Sequence, residues 1–254
     1  MKQRTWTGAA GTNEWNQIEN WIDGVIPGNG ENITIAMIDS ETALAPNAPA
    51  DLDVADLYVE GNIDGGPIIV NGTFHWKSGR IAADLELKND GSVATGGTEL
   101  SGTIRSSASL TFEGSDQMLL DGGKVVCDNN VTFTSCGLRA VSDVPSRFTS
   151  KDIYIQDTSR FSGKSLVVER MAGGLLRVDG ELDVDEGAKL IVNLGLLEGT
   201  GFLNIVYDAT MDLEQGIPTG AGRNWFVVTP WHTTARFGFE VPGKPEPVDL
   251  PRPT

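Results

Sequence analysis

Short runs in which apolar and polar residues alternate recur along most of the chain. Leu57-Tyr58-Val59, Leu85-Glu86-Leu87, Leu110-Thr111-Phe112, Val131-Thr132-Phe133, Ile153-Tyr154-Ile155, Leu166-Val167-Val168 and Leu190-Ile191-Val192 are the clearest. A period of two marks a strand with one face buried. Strands this short cannot hold themselves together alone. Stacked on an equivalent strand in a neighbouring turn, each gains a ladder of hydrogen bonds and a share of a continuous core. From Leu57 the runs follow at steps of 28, 25, 21, 22, 13 and 24 residues, most of them near the coil length of a β-solenoid. Turn signals separate them: Gly61-Asn62-Ile63-Asp64-Gly65-Gly66, Asp90-Gly91, Asp121-Gly122-Gly123 and Gly173-Gly174. Such residues turn corners because they accept positive φ. The best helical segment, Glu14 to Ile22, covers two turns at most. The pattern predicts an all-β chain wound as a right-handed parallel β-helix. A tandem β-sandwich also gives regular short strands, and the step of 13 keeps that alternative open.

The chain divides into four stretches. Residues 1–40 carry three of the six Trp and a dense set of turn signals, and are expected to form an N-terminal cap. Residues 41–199 are expected to form the β-helix, and residues 200–241 a short C-terminal β unit. Residues 242–254 form a Pro-rich tail with Pro242, Pro245, Pro247, Pro251 and Pro253. Such a segment favours the extended polyproline conformation and cannot join a ladder fully. It is expected to act as a docking arm in a multi-chain assembly.

The opening stretch reads Trp6-x-Gly8, Trp15-Asn16, Asn20-Trp21, Gly24, then Ile26-Pro27-Gly28-Asn29-Gly30-Glu31-Asn32-Ile33-Thr34-Ile35. This resembles the start of bacterial surface and autotransporter-passenger β-helices, with their W-x-G, W-N, N-W and G-x-G-[DE] pattern. Residues 175–207 resemble the C-terminal coils of such passengers. The resemblance implies a right-handed β-helix displayed at a surface. Read from the residues, the motif makes sense as a cap. An open solenoid end exposes core and unpaired strand edges, which invites end-to-end polymerisation. Trp6, Trp15 and Trp21 are large enough to cover that cross-section. The rival reading makes such aromatics a platform for sugar rings.

Charge changes the list of partners. Lys and Arg total 19 against 35 Asp and Glu, a net charge of −16. Nucleic acid needs a basic face to neutralise its phosphates, so it is excluded as a partner, and an anionic membrane surface is disfavoured in the same way. No stretch is apolar enough to span a bilayer. After Met1-Lys2-Gln3-Arg4 the chain enters the Trp6 motif without the apolar run of a signal peptide. These features point to a virion surface, or to an extracellular protein whose signal has been removed. Cys127 and Cys136 are the only cysteines, too few for a zinc site. Two buried thiols and a disulfide between adjacent turns both fit the spacing.

The chemistry-bearing residues are sparse. Asp179, Glu181, Asp183 and Asp185 alternate with Val178, Gly180, Leu182 and Val184, which puts four carboxylates on one outward face. That stripe is a candidate for Ca²⁺, for the acid/base pair of a polysaccharide lyase or hydrolase, or for a plain solvated acidic face. His75 and His232 are the only histidines. Trp76, Trp225 and Trp231 are candidates for glycan contact. No cofactor motif is present, and no residue forms a recognisable catalytic set. The expectation is a non-enzymatic structural surface protein, a homotrimeric virion component such as a capsid decoration, cement or tail protein. It would contact other structural proteins of the particle or cell surface. The alternatives are a secreted adhesin that binds glycans and a polysaccharide-cleaving enzyme.

Overall fold

A computed structural model describes residues 2–36, 44–185, 187–192, 196–199, 202–206, 210–213, 225–228 and 234–238. The chain is all-β, and its strands stack in parallel as a right-handed β-helix. Each turn visits three ladders in the same order. The second ladder runs through Leu52–Val54, Ile68–Val70, Leu85–Leu87 and Thr103–Ser106 to Lys189–Val192 and Thr210–Leu213. The first runs through Asn32–Ile35, Leu57–Val59, Phe74–Trp76, Gly91–Ala94 and Leu110–Glu113 to Leu175–Val178 and Leu196–Glu198. The third runs from Gly79–Ile81 and Thr98–Leu100 to Glu181–Asp185 and Phe202–Val206. Two long strands, Lys124–Thr134 and Ser146–Ile155, serve both the second and first ladders by bending between them, with a register break between Cys127 and Asn130. From Ile68 to Val206, seven successive turns place a strand in all three ladders.

In-register parallel pairing over so many turns rules out the tandem sandwich, whose sheets are antiparallel. It also explains the irregular steps. Ile153 lies on the first ladder and Leu166 on the second, so the step of 13 is a move within the winding rather than one full turn. The steps of 28 and 25 cross ladders in the same way, because Leu85 pairs with Ile68 and Ile104. True turns vary in length. Leu52 pairs with Ile68 and Phe74 with Gly91, 16 and 17 residues on, whereas Val131 pairs with Ile153 and Ile153 with Leu176, 22 and 23 residues on.

Large and small side chains together fill the interior. One inward column of the first ladder reads Ile35, Val59, Trp76, Val93, Phe112, Phe133, Ile155 and Val178. In the middle turns Phe133 packs on Phe112 at 5.0 Å, on Phe148 of the second ladder at 5.4 Å and on Phe161 of the third at 5.1 Å. The neighbouring column includes Gly91, where a Cβ would stand 3.0 Å from Leu110 Cδ2 and 3.1 Å from Phe74 Cδ1. The two large side chains fill the space the glycine leaves.

Corners must satisfy backbone groups that leave the ladders. Carboxylates take N–H groups from the following turn, Asp84 at the bend from the third ladder to the second and Asp56, Asp90 and Asp152 at the bend from the second to the first. Asp56 accepts from Thr73 N at 2.7 Å, Asp84 from Thr103 N at 2.9 Å, Asp90 from Ser109 N at 2.9 Å and Asp152 from Leu175 N at 2.7 Å. Part of the acidic excess is therefore structural. At that second-to-first bend an inward column of Ser106, Cys127, Ser150 and Arg170 serves the bend carbonyls. Ser106 Oγ donates to Ala108 O at 3.0 Å and Ser150 Oγ to Asp152 O at 2.8 Å. Where the bend is longer, at 171–174, the longer Arg170 side chain donates from Nη1 to Gly174 O. Arg170 is 0% exposed, and its burial lowers the guanidinium pKa while the Asp152 charge opposes that shift.

At the N-terminal end Gln3–Trp6 pairs in parallel on Asn32–Ile35, which is itself the rung before Leu57–Val59. At the other end the parallel ladders run on past residue 199. The third is extended by antiparallel strands Thr234–Gly238 and Trp225–Val228. The best helical segment of the sequence, Glu14 to Ile22, holds one short 3-10 turn, Ile18–Asn20. No helix among the described residues is long and apolar enough to cross a membrane.

Candidate functional site

The three N-terminal tryptophans converge. Trp6, Trp15 and Trp21 are 1%, 3% and 2% exposed and belong to the same buried cluster as the first rungs of the solenoid. Trp15 and Trp21 meet edge to face at 4.8 Å, and Trp21 Nε1 donates to Trp15 O at 2.8 Å. Trp6 forms an antiparallel bridge with Trp21. Two polar devices hold the layer. Asn20, fully buried, accepts from Ala10 N at 3.0 Å and donates to Thr12 O at 3.2 Å and Glu14 O at 3.0 Å. Its amide thus replaces the ladder partners that this irregular segment lacks. Arg4 grips Glu31 with two hydrogen bonds, Nε at 3.1 Å and Nη2 at 3.0 Å, and its Nη1 pairs with Asp23. The bond to Glu31 holds the Arg4 pKa above its ordinary value. In return Arg4, aided by Gly28 N–H, holds the Glu31 carboxyl below the usual range. Asn20 and Glu31 both stand in the opening motif, but their roles emerge only from this geometry.

The acidic stripe is engaged by arginines. Asp179 accepts from Arg177 Nε at 2.6 Å, and Asp185 pairs with Arg160 of the preceding turn. Glu181 and Asp183 stand at alternate positions of the same strand, with Asp183 opposite Arg160 in the register. Among the described residues no group of three or more His, Cys, Asp or Glu side chains is placed to hold a metal ion. Cys127 and Cys136 are free and buried. Burial raises both thiol pKa values, that of Cys136 to about 11. The tail prolines Pro242, Pro245, Pro247, Pro251 and Pro253, with Trp231 and His232, lie outside the described residues.

Trp76 is not an exposed aromatic. It is 1% exposed, and its Nε1 donates to Ser78 O at 3.1 Å. Phe74 and Trp76 share one parity of the strand and both point inward, which turns His75 out. The outward column of the first ladder therefore reads Thr34, Tyr58, His75, Ser92, Thr111, Thr132 and Tyr154, then Arg177. The Tyr58 and His75 rings stack at 5.2 Å with planes 25° apart, and His75 Nδ1 shares a 2.5 Å hydrogen bond with Ser92 Oγ. A groove of about 300 Å³ runs beside them, lined on its far side by Glu60, Lys77 and Glu113. Ala94 takes its place in that second row, and its single methyl leaves the opening. A second groove, about 520 Å³, lies at the corner leading to the third ladder. Its Asp157 accepts from Ser135 Oγ at 2.6 Å and Thr158 N at 2.8 Å, and these bonds lower its pKa.

Comparisons with known proteins add no family to this picture: no family model, no characterised protein and no solved structure matches the chain.

Proposed function

We propose that the protein is a non-enzymatic structural surface protein, an oligomeric component of a virion or cell surface for which the solenoid is the rigid scaffold. The observation that supports this reading is the buried tryptophan cluster at the N-terminal end. Three buried tryptophans, held by Asn20 and by the Arg4–Glu31 pair, share one core with the first rungs, as a cap would. Covering a solenoid end in this way keeps a rod soluble without letting it grow into a fibre. Two of the four carboxylates of the acidic stripe, Asp179 and Asp185, are engaged in ion pairs with arginine. The capsid decoration, cement or tail role is the specific form of the proposal, with the Pro-rich tail as docking arm and a trimer as the assembly.

Light scattering on the full chain and on a chain ending at residue 241 tests the proposal. The expected result is three times the 27.1 kDa chain mass, reduced when residues 242–254 are removed. A monomer at every concentration overturns the assembly, and release of reducing ends from polysaccharides overturns the non-enzymatic reading.

A further inference from the structure

The outward column of the first ladder departs from the rest of the surface. From Thr34 to Tyr154 it contains no Asp, Glu, Lys or Arg in seven consecutive rungs, in a chain with net charge −16. Six steps between rungs, at about 4.8 Å each, make a stripe free of carboxylate, lysine and arginine roughly 29 Å long. It offers hydroxyls from Thr34, Ser92, Thr111 and Thr132 and rings from Tyr58, His75 and Tyr154. Hydroxyls at a regular spacing donate to and accept from other hydroxyls. The rings add apolar contact with a polar edge. At its middle the stripe is flanked by the groove beside Tyr58 and His75, whose volume of about 300 Å³ stands at the lower bound of small-molecule sites.

We infer that this stripe is a binding site for a neutral glycan chain lying along the solenoid axis, with one sugar unit seated in the groove between His75 and Ala94. Charge selects the occupant. An anionic polysaccharide would run beside Glu60 and Glu113 against the field of a strongly acidic protein. A cationic partner would find no carboxylate in the stripe itself. A neutral sugar meets both needs, since its hydroxyls match the Thr and Ser row and its C–H face can pack on the Tyr58 and His75 rings. Lys77, paired with Glu60 at 3.0 Å, and Glu113 then border the seated unit with one donor and one acceptor. The site stands apart from the assembly reading: a monomer could carry it, and an oligomer could lack it.

The test is calorimetric titration of the full chain with maltohexaose, cellohexaose, mannohexaose and N-acetylchitohexaose, with hexagalacturonate as the anionic comparison. Tyr58→Ala, His75→Ala and the distant outward variant Val167→Thr are titrated alongside. All three positions point outward, so the variants should keep the wild-type melting temperature. The expected result is saturable binding of at least one neutral hexasaccharide, weakened roughly three- to tenfold by Tyr58→Ala or His75→Ala and unchanged by Val167→Thr. No binding of any neutral hexasaccharide overturns the inference. So does equal or tighter binding of hexagalacturonate, or neutral binding that both ring variants leave untouched.

Discussion

Removing the Phe133 ring tests whether three ladders share one core. Phe133 is fully buried and meets a ring from each ladder: Phe112 nearly parallel at 5.0 Å, Phe148 at 5.4 Å and Phe161 edge-on at 5.1 Å. Phe→Ala in a packed interior costs about 3–5 kcal/mol, from lost transfer energy and from the cavity left behind. The cost depends on how far the walls collapse. Here each wall is anchored to a different ladder, so collapse would have to shift three sheets at once. That places the expected loss at about 4–5 kcal/mol, in the upper half of the range. The assay is guanidinium unfolding followed by far-UV circular dichroism. Thr132→Ala, one residue away and outward, serves as comparison and should change stability by under about 0.5 kcal/mol. A Phe112→Leu/Phe133→Leu double-mutant cycle should show a coupling of about 0.5–1.5 kcal/mol. A loss below about 0.5 kcal/mol for Phe133→Ala would refute the shared core.

Three other outcomes follow from the geometry. Gly79 has φ +87, and a Cβ there would lie 2.1 Å from Gly61 O. Gly79→Ala should therefore cost at least about 2 kcal/mol, and an unchanged unfolding midpoint would contradict the close approach of these turns. Glu31 and Asp157 are held below their ordinary carboxyl values of 4.5 and 3.8. Their contribution is present above those values and is lost as pH falls through the lower folded values, because the unfolded chain takes up protons first. The urea midpoint should fall in that acidic window, and less steeply in a Glu31→Gln/Asp157→Asn variant; identical slopes would dismiss these two groups. Cys127 and Cys136, with thiol pKa values raised by burial, should resist a thiol-specific disulfide reagent at neutral pH until the chain is unfolded. Rapid modification of either in the native protein would show that the interior is open.

Much of this fold was written in the period-two runs. The inward residues of Leu110-Thr111-Phe112 and Val131-Thr132-Phe133 were legible, and so was the clustering of Trp6, Trp15 and Trp21. The ladder to which a run belongs was not. All three ladders use the same alternation, so Ile153 and Leu166 look like successive turns although they lie on different ladders. Trp76 misled because Trp is read as a sugar platform, yet its parity with Phe74 already pointed it inward. The corner polar groups left no periodic signal. Ser150 and Arg170 occupy inward positions where alternation expects apolar residues, and only the bend carbonyls beside them account for the choice. The pairing of Asp185 with Arg160 was hidden for a simpler reason: the partners are 25 residues apart and meet only through the register.

The claim on which the account depends most is that the tryptophan layer closes the solenoid. Sedimentation velocity of the wild type, Trp21→Ala and Phe133→Ala over a range of concentrations tests it directly, since Phe133→Ala destabilises the core and leaves the cap intact. The account predicts one concentration-independent species for the wild type and for Phe133→Ala, and a growing series of larger species for Trp21→Ala. The same distribution for Trp21→Ala and Phe133→Ala would contradict it.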